Sequence, residues 1–360
     1  MLICFNISSA FRRAWASPER KISNFEIGSI NPGPVSTSLF LFVSMLLAAA
    51  MEYTQAAGTD DDTEARQLIN LMTHATRSLD YDGIFIYRQE RGMDTMRLIH
   101  KVGTKGEAER LVSLTGQPRE VIRNNQSVTC IFPKNRAIMV EKSRNHELIS
   151  SQLPEPIDKI ADHYNFSVVR EDRVAGRKAW VVAIKPEDNY RYGYQLWIDE
   201  ENHLLLKSDL IDNAGKTLEQ ILFTKLDVMD SIPDELLKPS IQSSGYKRYQ
   251  LAAPEPGTSE KSIQWQAKWV PNGFKMRNYE KQAMAEGKQM VDHIVYTDGL
   301  AMVSVFVEKS DQPSRFTPGP VKKGALNAYA RMADGYRVTA VGEVPQNTVQ
   351  RMAISVVTGQ

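Results

Sequence analysis

Residues 192–228 read YGYQLWIDEENHLLLKSDLIDNAGKTLEQILFTKLDV, and the fold class follows from this stretch. Its first part alternates Tyr194, Leu196 and Ile198 with Gln195, Trp197 and Asp199. Its second alternates Leu204, Leu206 and Leu210 with Leu205, Lys207 and Ile211. Its third alternates Leu218, Leu222, Leu226 and Val228 with Thr217, Glu219 and Lys225. A two-residue period over runs of this length predicts antiparallel strands with at least one buried face. Asn202 and Asn213-Ala214-Gly215 supply residues that tolerate a positive φ, as hairpin turns require. The stretch is a three-stranded meander without a catalytic signature.

The same alternation continues toward the N-terminus. Strand patterns cover 81–89, 94–101, 108–114, 119–124, 127–132, 137–142, 166–174 and 178–185, separated by Gly- and Pro-containing breaks. About ten or eleven hairpin-linked strands predict one large antiparallel sheet that must curl to bury a face. Two helical patterns are its natural filling. Ala65, Leu68, Ile69, Met72, Ala75 and Leu79 recur at helical spacing, with Asp61-Asp62-Thr63-Glu64 in the form of a capping box. Residues 156–164 predict a short helix with Ile157, Ile160, Ala161 and Tyr164 on one face.

Beyond the meander, 236–260 reads as a linker, Pro/Gly-rich at 253–258. Within it, Tyr246-Lys247-Arg248-Tyr249 interleaves bases with aromatics, as a solvated connector or as a docking strip. A second module over 261–360 carries strand patterns at 276–284, 290–297, 302–308, 327–332 and 336–342, with Thr297-Asp298-Gly299 a hairpin turn. Residues 312–324 read as a loop, and Pro345 opens a final helix with Val349, Met352, Ala353 and Val356 in one stripe.

The apolar run at 38–51, preceded by bases and followed by Thr54-Gln55-Ala56, has the form of a signal peptide, with residues 1–57 as leader. At 14 residues the run is short for a membrane span, and an uncleaved anchor is the rival reading. Without 1–57 the chain keeps 40 basic and 40 acidic side chains. A neutral total gives no long-range attraction to nucleic acid. Of two cysteines Cys4 goes with the leader, so Cys130 is expected alone, as a small buried hydrophobe. No catalytic residue, metal site or cofactor is expected: zinc-protease, nucleophile-elbow, P-loop and Rossmann motifs are missing, and the six histidines are scattered.

Two features suggest binding. A curled sheet under helices encloses an apolar space of the kind that takes an acyl chain. Its candidate walls are Phe85, Tyr87, Met96, Leu98, Leu196, Ile198, Leu204 and Leu206, each of which also fits an ordinary packed core. Candidate partner-binding residues are Tyr246, Arg248 and Tyr249 in the linker and Lys268, Trp269 and Arg277 in the second module, where ordinary surface charge is the plainer reading.

Several runs resemble signatures of the MucB/RseB family of periplasmic regulators. They include 114–123, LTGQPREVIR; Tyr194, Trp197 and Asp199 with Leu210, Asp212, Gly215 and 217–220; and 269–274, 296–300 and 341–345 in the second module. Leu204-Leu205-Leu206 departs from the family, where a proline-containing run is more usual. The resemblance spans essentially all of the chain after the leader. It implies a mainly β, α+β chain: a large unclosed antiparallel β-barrel domain covered by helices (58–235), similar to the lipoprotein carriers LolA and LolB, plus a smaller α+β C-terminal domain. It also implies a periplasmic protein that binds the periplasmic segment of a membrane-spanning anti-sigma factor and shields it from proteolysis. Release on sensing lipid or lipopolysaccharide is the implied switch, and self-association is compatible with it. A lipoprotein or lipid carrier is the alternative, with an enzyme a more distant third.

Overall fold

Twelve strands hydrogen-bond into one sheet and six into another. The computed structural model describes residues 57–90, 92–104, 106–142, 153–250, 264–283, 290–310 and 318–359. The leader with its apolar run, and the Pro/Gly segment of the linker, fall outside these. Helix α1 (Ala57–Ser78) leads into β1 (Asp80–Gln89), β2 (Gly92–Gly103), β3 (Gly106–Ser113), β4 (Glu120–Arg123), β5 (Ser127–Phe132) and β6 (Ala137–Lys142). Then come β7 (Tyr164–Val174), β8 (Arg177–Pro186), β9 (Gly193–Asp199), β10 (Leu205–Ile211), β11 (Thr217–Met229) and β12 (Lys247–Gln250).

The order across the large sheet is β12-β6-β5-β4-β3-β2-β1-β11-β10-β9-β8-β7. The first strand pairs with the last of the meander, so two series fan out from a central β1–β11 ladder. β12 and β7 remain as edges, and the sheet is open. The fold is thus α+β and mainly β, as the alternation and the resemblance imply.

Bulges bend the sheet. Register slips between Ile84 and Phe85, between Leu205 and Lys207, between Leu210 and Ile211, and between Val168 and Arg170. An extra residue on one strand bends it and raises its twist. These slips also correct the simple alternation expected of the meander. Leu222 pairs with Ile86, whereas Phe223 pairs with Phe85, so the third strand changes face partway along. The Phe85 and Phe223 rings lie 5.3 Å apart. Gly83 is required beside them, because a Cβ there would stand 2.6 Å from the Phe223 ring.

Helix α1 covers one half of the inner face. Ala65, Leu68, Ile69 and Met72 pack into one cluster with Phe166, Val182, Ile184, Leu196, Ile198 and Leu205. Burial of this kind stabilises by about 1.5–3 kcal/mol per large side chain. Two local expectations are corrected. The helix already runs from Ala57, so Asp61 does not cap it; its carboxylate instead accepts the amide of Val168 on edge strand β7 at 2.8 Å. The helix expected at 156–164 is a single 3-10 turn, Ile157–Ile160, because Tyr164 is drawn into β7. Cys130 is buried on β5, as expected of a small hydrophobe.

A strap follows β11 and crosses the outer face. Ile232 donates its amide to Asp80 at 3.0 Å, and Arg110 reaches the Leu236 carbonyl at 2.9 Å and Glu120 at 3.0 Å. Glu120 also accepts the Ser240 amide and hydroxyl. The strap delivers β12, which pairs in parallel with β6 at the sheet edge. Residues 247–250 are therefore a strand, not a plain connector.

The smaller sheet has the order β14-β15-β16-β19-β18-β17, from β14 (Lys275–Ala283), β15 (Met290–Thr297), β16 (Met302–Lys309), β17 (Gly319–Lys323), β18 (Leu326–Ala333) and β19 (Tyr336–Gly342). The loop expected over 312–324 therefore contains a strand, too short and too rich in Gly and Pro to show alternation. β13 (Trp265–Ala267) pairs with β20 (Val356–Thr358), which follows α2 (Gln346–Ser355). Val349, Met352 and Ala353 of α2 pack on Ile294, Val303, Val305, Val338 and Ala340. No described helix is long and apolar enough to cross a membrane.

Glu120 is fully buried, and removing it leaves Arg110 without its ion-pair partner and Ser240 without its acceptor. Glu120→Ala is expected to cost about 3–5 kcal/mol in urea unfolding, and Glu120→Gln less. An unchanged midpoint for both would show that the strap is not clamped there.

Candidate functional site

The β8–β9 connection carries Asn189-Tyr190-Arg191-Tyr192, whose three large side chains enter the smaller module. Asp188 starts the turn by accepting the Tyr190 amide at 2.9 Å, and it holds the Arg191 guanidinium at 3.0 and 3.2 Å. Arg191 has no exposed surface. Its Nη1 donates to Asp298 at 2.6 Å, and its Nη2 donates to the Asn272 carbonyl at 2.6 Å. The guanidinium lies between the Tyr164 ring (5.4 Å) and the Phe274 ring (5.2 Å). A buried charge is tolerated when it is paired and hydrogen-bonded, and here each of the three guanidinium nitrogens donates to an oxygen.

Asp298 sits in the turn expected between β15 and β16. One of its oxygens takes Arg191 and the Tyr164 hydroxyl (2.9 Å); the other accepts the amides of Leu300 and Ala301 at 2.8 and 2.7 Å. Gly273 has φ +83°, and a Cβ there would stand 2.0 Å from the His163 ring, so only glycine lets this turn approach.

The flanking tyrosines bind separately. The Tyr190 carbonyl accepts the Thr348 hydroxyl at 2.7 Å. Its ring meets Trp269 edge-on at 5.1 Å, and Arg351 lies 3.9 Å above Trp269. The Tyr192 hydroxyl accepts from Asn327 at 2.9 Å, and that amide also reaches the Val344 carbonyl at 2.8 Å. Tyr192, Leu210, Leu218 and Ala325 form a small apolar cluster beside it.

A second acidic centre lies on the β11 side. Glu219 accepts the Tyr87 hydroxyl at 2.6 Å and Gln89 at 3.2 Å, and takes the amide of Ala325. Burial raises the Glu219 carboxyl, and burial followed by the Glu219 charge raises the Tyr87 hydroxyl. Glu343, partly buried, is pushed up to about 8 by burial first and by the charge of Glu219 second.

The registers place Phe85, Tyr87, Met96, Leu98, Leu196 and Ile198 on one face, the face that α1 covers in part. Leu204 and Leu206 do not join them. The bulge after Leu205 sets Leu205 opposite Ile198, and both Leu204 and Leu206 are buried outside that cluster. The expected partner residues lie on separate elements. Arg248 and Tyr249 are exposed on β12, and Tyr246 stacks under Arg136 at 5.3 Å. Arg277 is exposed on β14, Lys268 is exposed after β13, and the neighbouring Trp269 is taken up by Tyr190 and Arg351. Asp298 and Glu219 read in the sequence only as turn and strand residues, and Arg191 and Asn327 are not singled out there. The flanking of Arg191 by two tyrosines was the available signal.

Among the described residues no cluster of His, Cys, Asp or Glu could hold a metal ion. An open sheet with a largely apolar inner face, joined to a small module through a buried polar seam, defines a two-part binding protein. The chain belongs to the MucB/RseB family: the N-terminal domain model matches residues 64–241 and the C-terminal domain model matches 259–357. It is 30% identical to the sigma factor AlgU regulatory protein MucB of Pseudomonas aeruginosa, over 89% of this chain and 97% of that one. A crystal structure of MucB in complex with MucA(peri) superposes with a TM-score of 0.66 at 27% identity, covering 82% of this chain and 99% of that one. A crystal structure of MucB superposes at 0.55 and 26% identity, with 82% and 98% covered.

The raised Glu343 carboxyl sets a pH dependence. In the folded chain it keeps its proton up to about 8, while the unfolded carboxyl ionises from its ordinary value of 4.5. Stability is therefore lost as pH rises through that window and levels above it. Glu343→Gln is expected to match the parent near pH 4 and to melt higher than the parent at pH 8. Parallel melting curves across the range would contradict this.

Proposed function

We propose that this chain is a periplasmic regulator that binds the periplasmic segment of a membrane-spanning anti-sigma factor, shields it from proteolysis and so keeps an envelope-stress sigma factor silent. The observation that carries this reading is the end-to-end likeness, through both modules, to MucB solved with MucA(peri). The relatives are sigma factor regulatory proteins, and action by binding, without catalysis, accords with them. In this reading 58–235 and 261–360 are two domains, with 236–260 between them. Sensing of lipid or lipopolysaccharide is assigned to the inner face that carries Phe85, Tyr87, Met96, Leu98, Leu196 and Ile198.

Within the proposed contact set, Arg248, Tyr249, Lys268 and Arg277 are exposed. Tyr249 is 50% exposed on an edge strand whose Lys247 and Arg248 suit an acidic extended segment. A lipid or lipoprotein carrier would use the same inner face and is the competing reading.

Calorimetry of the chain from residue 58 with the anti-sigma periplasmic segment tests the proposal. Binding and protection of the segment from its protease are expected; no binding, with lipid transfer between vesicles instead, would favour the carrier. Replacing Arg248 and Tyr249 together by Ala is expected to weaken binding by about tenfold, in the range of interface Arg and Tyr anchors. An unchanged affinity would remove β12 from the contact surface.

A further inference from the structure

The seam has a feature that simple adhesion does not need. Its centre is a charge pair: Arg191 and Asp298 are both without side-chain exposure, 2.6 Å apart, on opposite sides of the seam. Apolar side chains of equal volume hold two surfaces together at least as well, because an ion pair gives up the hydration of both charges. What the ionic seam adds is reversibility. Parting the two sides returns Arg191 to water with Asp188 still beside it, and Asp298 to water with its turn amides still bonded. Neither charge is stranded. An apolar plug would instead expose its surface on opening. The pair is also directional, since Arg191, Asp298 and the Asn272 carbonyl meet at only one relative placement of the two sheets.

A second observation concerns shape. The structure of MucB in complex with MucA(peri) and a second crystal structure of MucB cover the same 82% of this chain, yet they superpose with TM-scores of 0.66 and 0.55. The two differ in shape, and this chain is nearer to the former.

We propose that Tyr190-Arg191-Tyr192 is a reversible latch, closed on Asp298, Asn327 and Thr348, that holds the two sheets in the arrangement able to receive the anti-sigma segment. The inference rests on the function proposed above. By linkage, a segment that binds only the closed arrangement favours closure, and an open latch lowers affinity by the fraction of chains left open. Arg191 acts as a positioning residue; the latch needs no contact between it and the segment.

The test uses the chain from residue 58 with spin labels on Met93→Cys and Val321→Cys, which are exposed on the large and small sheets. Dipolar distances are measured with and without the segment, beside calorimetry. In the otherwise unaltered chain two distance populations are expected, and the segment should collapse them to the closed one. Arg191→Met should shift the population to the open distance and weaken the segment at least tenfold. The milder Asn327→Ala, which removes the bond to Tyr192 together with those to the Ala325 and Val344 carbonyls, should give a partial shift of both readings together. A single distance that the segment does not change overturns the latch, as does an opened Arg191→Met variant with full affinity. If the unaltered chain does not bind the segment, the functional reading fails, and the latch stands or falls on the variant distances alone.

Discussion

An antiparallel sheet that does not close has two faces to cover and two edges to protect, and most of this structure answers that constraint. Helix α1 packs on half of the inner face through Ile69 and Met72. The strap held by Glu120 lies on the outer face and carries β12 to one edge. At the other edge β7 presents Arg170, Glu171, Asp172 and Arg173 to solvent, and Asp61 takes one of its amides. Charged edge residues and a bulge discourage further strand pairing. The bend that makes the sheet a shell comes from its bulges, one of which requires Gly83 to admit the Phe223 ring.

The smaller module is joined to this shell by directional polar contacts, with a modest apolar cluster beside them. Three consecutive residues supply most of them, each bonded to a different part of the smaller module: Tyr190 to Thr348, Arg191 to Asp298, Tyr192 to Asn327. Such a seam is specific in geometry and modest in net energy, since each bond replaces one to water. That balance suits a regulator, whose partner must be able to alter it. It also explains why the acid centre at Glu219 and Glu343 matters, because like charges across a seam oppose closure unless one stays protonated.

The inner face presents Phe85, Tyr87, Met96 and Leu98 beside Leu196 and Ile198. These six side chains form a largely apolar wall, and the Tyr87 hydroxyl ties it to Glu219 at the seam. The wall assigned to lipid sensing and the junction between the modules therefore share a hydrogen bond, a short physical route between the two proposed functions.

The period-2 runs, the helical stripe of α1, the Thr297-Asp298-Gly299 turn and the family motifs were all legible in the chain, because each depends on neighbours a few residues apart. Alternation assigns a side chain to a face for as long as the ladder stays in register. It therefore placed Phe85 with Met96 correctly and failed at Leu204 and Leu206, where one extra residue in β10 changes the face. Strand β12 escaped notice because its pairing is with β6, more than a hundred residues earlier, and its four side chains are all exposed. The seam lay further out of reach. Arg191 and Asp298 are 107 positions apart, and a lone arginine and a turn aspartate read locally as surface charge. The sequence alone determined most of the elements and their class; only the tertiary structure decided which charges leave water, because desolvation depends on what packs around a group and not on its neighbours along the chain.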